Sequence, residues 1–288
     1  MEYQSEFTLP LWDSTPPLWN LRDTCPESTL NLALKDDSVP RPLILLFPSG
    51  GYHHLDTEPL HPIAAGILEL DCHVGIVNYR TSQDPSLGPL GHGPLMDAQK
   101  AFRLIRGYAS KWNVLPESII ALGFGAGAHL AAASAIHSGW HAPEIDESGL
   151  EIHGGPNAMA LGHGFISNHV SHYHYPLERI LGTAPDSSLQ AFYTLEKRIT
   201  PAVPRSFLWH TLEDPQNPAA DSLRLAEALA ANKVDCELHI FNKGGHAMDW
   251  NDDASGVSQW KSLFLSWLGR TLPKLNNSAS PKLNPKVL

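Results

Sequence analysis

The order of apolar and polar positions predicts alternating strands and helices along most of the chain. Residues 42–47 form a short continuous apolar run, typical of a strand covered on both faces. Further mainly apolar strands are predicted over residues 72–78, 118–122, 204–210 and 236–241, and a short core strand over residues 162–166. Apolar residues at helical spacing mark residues 58–70, 95–112, 126–136, 177–181, 219–231 and 257–268. Residues 29–34 alternate instead, which predicts an edge strand. This order is expected of an α/β fold with a mostly parallel central sheet and helices on both faces.

Three segments lack this regular pattern. Residues 1–29 contain Trp12, Trp19 and several prolines, and we expect an extended arm packed on the domain. Its aromatic residues could alternatively wall a substrate cleft or form a dimer contact. Residues from about 139 to 200 interrupt the pattern and are expected to form a small cap or lid. Residues 273–288 have no apolar periodicity and are expected to be disordered, which leaves a single domain over residues 1–272.

Charge and composition exclude several classes of partner. The net charge is −10 and no basic run occurs, so nucleic acid and anionic membrane surfaces are not expected to bind. No apolar run approaches the ~18 residues of a spanning helix, and the N-terminus has no signal-peptide pattern. Three widely spaced cysteines form no disulfide or metal motif. We therefore expect a cytoplasmic monomer or homodimer without a cofactor.

Histidines are unusually frequent, with several of the 16 clustered between His153 and His174. Three of them, His169, His172 and His174, fall within six residues, and histidine is the commonest metal ligand. No carboxylate or cysteine completes a recognisable ligand set there. The sequence therefore favours a lid or a substrate-lining loop, and no metal site is predicted.

Residues 118–136 have the layout of a nucleophile elbow, in which a serine stands at the tip of a strand-to-helix turn in the pattern G-x-S-x-G. The outer glycines are present as Gly123 and Gly127, but the central residue is Gly125. No acyl-enzyme can form on a residue without a hydroxyl. Glycine adopts the strained backbone of an elbow without a steric penalty, so the turn is expected to form while its chemistry is lost.

Three further loops follow predicted strands. Pro48-Ser-Gly-Gly-Tyr52 suits a backbone-amide anion site, because glycines allow N–H groups to turn inward. Asp214 and His246 each follow a later strand. The carboxyl ends of parallel strands form one ligand-binding edge. The order of elbow, acid and histidine is that of α/β-hydrolases.

With these features, residues 9–269 resemble the α/β-hydrolase superfamily. The branch they resemble is that of the small esterases related to acetyl-xylan and feruloyl esterases, with kinship to kynurenine formamidase and hormone-sensitive-lipase-like esterases. The matching segments are Phe47-Pro-Ser-Gly-Gly-Tyr52, Asn78-Tyr-Arg80, Pro94-Leu-Met-Asp-Ala98, Gly123-Phe-Gly-Ala-Gly-Ala-His129, Phe207-Leu-Trp-His-Thr-Leu-Glu-Asp214 and Gly244-Gly-His246.

The resemblance implies a role for each matching position. Asp214 would be the triad acid and His246 the base, and the backbone N–H groups of Gly50, Gly51 and Ala126 would form the oxyanion hole. Ser49 and Tyr52 belong to the same loop and are expected to line the same pocket. The chain departs from the family pattern at three positions: Gly125 replaces serine, while Ala128 and Ser49 each replace glycine. His129, one helical turn past the elbow, is expected to be a packing or capping residue.

Three hypotheses for the function follow. The favoured one is an enzyme that uses the His246–Asp214 dyad for non-covalent acid/base chemistry on a small carbonyl- or ester-bearing substrate, by cyclisation, elimination, isomerisation or water attack. An alternative is an ordinary serine carboxylesterase or deacetylase captured as an inactive variant, with its serine replaced by Gly125. A third is a non-catalytic binding protein.

Two details of the site stay open at this point. Ser49 could serve as a substitute nucleophile, since its loop faces the same pocket. The substrate is expected to be largely apolar or aromatic, because Tyr52, Trp140, Tyr173 and Tyr175 lie in loops near the proposed cleft.

Overall fold

The computed structural model describes residues 5–18, 27–35, 38–84, 86, 88–140, 153–166, 175–246 and 256–272. In these ranges eight strands form one sheet in the order β1-β2-β4-β3-β5-β6-β7-β8. The strands are β1 (Ser5–Pro10), β2 (Thr29–Leu34), β3 (Arg41–Phe47), β4 (His73–Asn78), β5 (Val114–Phe124), β6 (Ala158–Gly162), β7 (Ser206–Thr211) and β8 (Cys236–Phe241). β2 pairs antiparallel with β1 and β4, and the remaining neighbours pair in parallel.

Helices cover both faces of this sheet. They are α1 (Leu60–Leu68), α2 (Gly93–Gly107), α3 (Ala109–Trp112), α4 (Ala126–Ile136), α5 (Tyr175–Leu181), α6 (Ser187–Phe192), α7 (Ala220–Ala231) and α8 (Gln259–Thr271). Short 3₁₀ turns lie at Leu195–Arg198 and Gly256–Ser258. The described helices include none long and apolar enough to cross a bilayer.

The hydrophobic core is divided by the sheet into two clusters. One contains buried residues of α2, α4 and α7, and the other contains buried residues of α1 and α8. β3 is buried along its whole length, as its continuous apolar run predicts. α4 is buried from Ala126 to Ala135, because its alanines let it pack closely on the sheet and on α2. The predicted fold class, a mostly parallel sheet with helices on both faces, is confirmed.

The prediction of an edge strand at Thr29–Leu34 is wrong. β2 lies inside the sheet, between β1 and β4, and β1 forms the edge. β1 falls in the segment expected to be a non-periodic arm. Phe7 and Leu9 are half-buried there, while Glu6 and Thr8 are exposed, so a weak alternation was present in the sequence. Hydrogen bonding to β2 is what makes residues 5–10 a strand.

The strand predicted over residues 162–166 is also misplaced. β6 ends at Gly162 rather than beginning there, and Gly162 pairs with Phe124 at the end of β5. A β-carbon on Gly162 would lie 2.3 Å from the indole ring of Trp209, so glycine allows the strands to pass closely. β6 also places part of the expected cap in the central sheet.

The other differences concern boundaries. The helix predicted over residues 95–112 is divided at Tyr108 into α2 and α3, and α6 was not predicted. The strand predicted over residues 118–122 extends over Val114–Phe124. The tail from residue 273, most of the histidine-rich loop and parts of the arm and the cap lie outside the described residues.

Candidate active site

The turn between β5 and α4 has the backbone geometry of an elbow with glycine at its tip. Gly125 has φ +52° and ψ −116°, a region that residues with side chains rarely occupy. Its N–H donates to the carbonyl oxygen of Gly162 at 3.0 Å. The outer glycines provide space: a β-carbon on Gly127 would lie 2.1 Å from the carbonyl oxygen of Phe47, and one on Gly123 would lie 2.4 Å from that of Gly127. The elbow therefore has its shape but no hydroxyl.

Asp214 and His246 meet at the same edge of the sheet, because they follow the adjacent parallel strands β7 and β8. Nδ1 of His246 lies 2.8 Å from Oδ2 of Asp214. A carboxylate only accepts hydrogen bonds, so Nδ1 carries the hydrogen and Nε2 is the basic nitrogen. Oδ1 of Asp214 accepts the backbone N–H groups of Gln216 and Asn217 at 2.8 and 2.9 Å. The acid is thus fixed from both oxygens.

Two further histidines surround the same carboxylate, and neither was predicted as a site residue. Nε2 of His210 and Nδ1 of His163 lie 3.2 and 3.4 Å from Oδ2 of Asp214. Burial raises the pKa of Asp214, but its close contacts with His163, His210 and His246 outweigh burial and hold this pKa well below its usual range. Asp214 is therefore ionised throughout the neutral pH range.

The sequence carried only weak signals for these two residues. His163 lies in the histidine-rich segment, and His210 stands four residues before Asp214 in a segment that carried the family resemblance. Burial lowers the pKa of His163 even though it contacts the carboxylate, so its ring is neutral. His163 also packs directly against His246, with ring centroids 5.3 Å apart.

His163, His210 and Asp214 have the composition of a metal site, since one ligand atom from each lies within 4.8 Å of the others. Nε2 of His210 faces two acceptors, the carboxylate and the carbonyl oxygen of Asn217 at 2.9 Å. It therefore carries its hydrogen, and Nδ1 accepts from Ser222 Oγ at 2.8 Å. A nitrogen that carries hydrogen does not ligate a metal, so this cluster fits a hydrogen-bond network better. His169, His172 and His174 lie outside the described residues.

The loop after β3 forms a tight glycine turn beside the elbow. Gly50, Gly51 and Tyr52 all have positive φ, at +116°, +64° and +60°. The N–H groups of His53 and His54 donate to the carbonyl oxygen of Gly50 at 3.0 and 3.2 Å. A β-carbon on Gly50 would lie 2.2 Å from the carbonyl oxygen of His54, so only glycine fits. Such a backbone suits N–H groups that approach an anion closely.

Ala126 provides the third predicted oxyanion donor. It is the first residue of α4, and the first N–H groups of a helix have no partner within it. The positive end of the helix dipole lies at the same place. Its N–H is therefore available to a developing negative charge on a bound carbonyl oxygen.

Buried hydrogen bonds hold the glycine loop from behind. The hydroxyl of Tyr79 donates to the carbonyl oxygen of Pro48 at 2.6 Å. The hydroxyl of Tyr52 lies 2.8 Å from Nδ1 of His129, and the N–H of Ser82 donates to the carbonyl oxygen of Tyr52 at 3.0 Å. Tyr52 is fully buried, so it supports the loop from inside. Burial lowers the pKa of His129 to about 3, which fits the predicted packing role and not that of a base.

Ser49 and His246 both lie beside the point that a β-carbon at residue 125 would occupy, here called the elbow position. Ser49 Oγ is 2.5 Å and His246 Nε2 is 3.3 Å from this point. The Ser49 side chain is buried in the loop. The structure therefore brings together Ser49, Gly125, Asp214 and His246, which are far apart in the sequence.

The aromatic residues suggested as cleft walls are only partly described. The ring centroid of Trp140 lies 4.7 Å from that of His92 and 5.4 Å from that of Phe192. Trp140 is therefore part of an aromatic cluster formed by α2 and α6 residues and their neighbours. Tyr173 and the side chain of Tyr175 lie outside the description.

The eight-stranded sheet, the elbow turn and an acid and a histidine on the last two strands define an α/β-hydrolase fold. Comparisons with known proteins agree. An acetyl ester-xyloside bifunctional hydrolase from Caldicellulosiruptor lactoaceticus has a solved structure that superposes with a TM-score of 0.83 and 29% identity, over 92% of this chain and 96% of that one. The chain thus has the α/β-hydrolase fold, and esterases are among its structural neighbours.

Two curated relatives are similar over part of their length. Endo-1,4-beta-xylanase B from Butyrivibrio fibrisolvens is 27% identical over 220 residues, which is 76% of this chain and 34% of that protein. A probable isoprenylcysteine alpha-carbonyl methylesterase from Oryza sativa subsp. japonica is 24% identical over 77% of this chain and 54% of that protein. The chain thus spans about a third and about half of these relatives. No protein-family model matches it.

Proposed function

We propose that this protein hydrolyses a small carboxylic ester, with His246–Asp214 as the acid–base pair. The observation that carries the proposal is the placement of His246. Its Nδ1 is held by Asp214 at 2.8 Å, and its Nε2 lies 3.3 Å from the elbow position. In a serine hydrolase the base must reach the hydroxyl beside this point. The distance from Nε2 to the elbow position supports His246 as the base of the proposed reaction.

The backbone supplies the second part of the chemistry. The N–H groups of Gly50, Gly51 and Ala126 are proposed to receive the carbonyl oxygen of the substrate as negative charge develops on it. Donors that are already oriented stabilise such charge strongly in a site shielded from water. This contribution does not depend on a hydroxyl at residue 125.

In the simplest form of this chemistry, His246 takes a proton from water, and the water attacks the ester carbonyl directly. No covalent intermediate forms. The protonated imidazole, stabilised by Asp214, then gives its proton to the departing alcohol. The same base could serve a cyclisation, elimination or isomerisation, but esters are favoured because an acetyl ester-xyloside hydrolase is among the structural neighbours.

The alternative is an ordinary serine esterase with one replaced residue. A β-carbon at residue 125 would lie 2.5 Å from Ser49 Oγ, so a serine at the elbow needs the Ser49 side chain to rotate away. Against a single replacement is that Ser49 is itself a departure from the family pattern.

The test is hydrolysis of p-nitrophenyl acetate and a series of short-chain acyl esters by the chain as it stands. His246→Ala is expected to reduce turnover to the background rate, because it removes the base. His239→Ala is the matched control: His239 lies on β8 and pairs with Glu237 at 2.8 Å. Equal turnover in the parent chain and His246→Ala would refute the proposal. Ester binding without turnover in all three proteins would favour a binding protein.

A further inference from the structure

The two departures from the family pattern nearest the catalytic edge are in contact with each other. Residue 125 lacks a hydroxyl, and residue 49, in the facing loop, has one. Ser49 Oγ lies 2.5 Å from the elbow position, and Ser49 Cβ lies 3.5 Å from it. The hydroxyl is thus directed toward the place where an elbow serine would stand. A glycine at residue 125 is what leaves room for it.

The loop presents this hydroxyl from a fixed backbone. The N–H of Asp56 donates to the carbonyl oxygen of Ser49 at 3.1 Å, which forms an isolated bridge across the loop. The preceding carbonyl, that of Pro48, accepts the buried hydroxyl of Tyr79 at 2.6 Å. With the backbone held on both sides, rotation about one bond of the Ser49 side chain sets the position of Oγ. Nucleophiles on fixed elements lose little entropy on reaching the reactive geometry.

His246, the proposed base, lies beside the same elbow position. His246 Nε2 lies 3.3 Å from the elbow position, so it borders the space that Ser49 Oγ enters. Catalytic hydrogen bonds are often long before substrate binds and shorten in the complex. Rotation of the Ser49 side chain toward His246 would pair hydroxyl and base.

We propose that Ser49 is the nucleophile of this site, replacing the elbow serine from the opposite loop. The proposal rests on the ester hydrolysis proposed above, and it puts Ser49 in the place of water in the first step. Ser49 Oγ gives its proton to His246 Nε2 and bonds to the ester carbonyl carbon. The carbon–alkoxide bond breaks, and His246 returns the proton to the leaving alcohol. Water then attacks the acyl carbon, losing a proton to His246, and Ser49 Oγ leaves with that proton as the acid is released.

The decisive experiment is covalent labelling with an alkyl fluorophosphonate, followed by intact-mass measurement and peptide mapping. An activated serine displaces fluoride and keeps the phosphonyl group on its oxygen. We expect one adduct per chain, on the peptide that contains Ser49. Ser49→Ala should abolish the adduct, and His246→Ala should slow its formation by at least about 10³-fold. No adduct on the parent chain, or an adduct on another residue, would overturn the proposal.

A matched serine controls for burial. Ser206 is buried on β7, like Ser49 in its loop, and its Oγ donates to the carbonyl oxygen of Pro204 at 3.0 Å. Ser206→Ala is expected to keep the adduct and the ester turnover. The paired exchange of Ser49→Gly with Gly125→Ser should transfer the adduct to the peptide that contains residue 125. Circular dichroism of each variant shows that it folds.

Turnover separates this proposal from the proposed function. If Ser49→Ala hydrolyses esters as fast as the parent chain while His246→Ala does not, the dyad acts on water and Ser49 is not the nucleophile. If the parent chain is labelled on Ser49 but hydrolyses no ester in the series, Ser49 is an activated nucleophile and the proposed ester hydrolysis fails. A loss of at least about 10³-fold in kcat/KM with Ser49→Ala supports both.

Discussion

Gly125→Ser tests the contact on which the arrangement of the site depends. Two costs are expected to add in this variant. A residue with a side chain at φ +52° and ψ −116° is strained by about 1–3 kcal/mol. In addition, its β-carbon would lie 2.5 Å from Ser49 Oγ, so the Ser49 side chain must leave its present rotamer, at about 0.5–1.5 kcal/mol. We therefore expect a loss of roughly 1.5–4.5 kcal/mol in the free energy of unfolding, the sum of those two terms.

A double-mutant cycle separates the two costs. Ser49→Gly removes the atom that would be crowded, so Gly125→Ser should cost about 1 kcal/mol less in that background. Gly91→Ser is the matched control, because Gly91 has φ +56° and a β-carbon there would meet no atom within 4 Å. It should show the backbone strain alone.

The assay is urea unfolding of the parent chain, both single variants and the pair, followed by tryptophan fluorescence. Thermal unfolding should show the same order, since about 1 kcal/mol shifts the Tm of a domain of 150–250 residues by roughly 2–4 °C. A coupling energy below about 0.3 kcal/mol would mean that the two sites are independent. In that case residues 49 and 125 do not meet, and the placement of Ser49 at the elbow position is wrong.

Three further outcomes are expected. Asp214→Asn should reduce kcat by roughly 10⁴-fold with little change in KM, because the amide favours the wrong tautomer of His246; unchanged kcat would remove the acid from the mechanism. Arg80→Met should destabilise the fold by about 3–5 kcal/mol in urea unfolding, because the buried Asp97 then loses its charged partner at 2.6 Å and keeps only neutral donors such as Trp12 and Ser28. A loss under 1 kcal/mol would contradict a stabilising role of this pair. Burial lowers the pKa of His129 to about 3, so the unfolded chain takes up a proton at a higher pH than the folded chain does. The stability that neutral His129 contributes is therefore complete above about pH 6.5, and the free energy of unfolding falls below that pH by up to roughly 1.4 kcal/mol per pH unit. A free energy of unfolding that stays constant from about pH 7.5 to 5 would contradict this.

Much of the architecture was predictable because it depends on local patterns. Buried parallel strands give continuous apolar runs, and the runs at β3, β4, β7 and β8 were found within a few residues of their bounds. The strand, glycine turn and helix around Gly125 were predicted because each has a local sequence requirement. The order of the strands along the chain then indicated which loops share an edge.

The errors occurred where local pattern was weak. β1 alternates only partly and depends on pairing with β2 for its structure. β6 has a short run of small apolar residues, and its bounds are set by contact with β5 and β7 on either side. In both cases hydrogen bonds to strands distant in the sequence determine that the segment is a strand and where it ends. The residues of the segment alone do not determine this.

The sequence by itself determined that residue 125 has no hydroxyl and that an acid and a histidine follow later strands. Only the tertiary structure showed that His163 and His210 share the carboxylate of Asp214, and that Ser49 Oγ reaches the elbow position. The contacts of His163 and Ser49 join residues separated by dozens of positions, whereas His210 stands only four residues before Asp214. All of these distances depend on how the loops pack at the edge of the sheet. These distances cannot be read from the spacing of residues along the chain, because the loop conformations depend on contacts between distant segments.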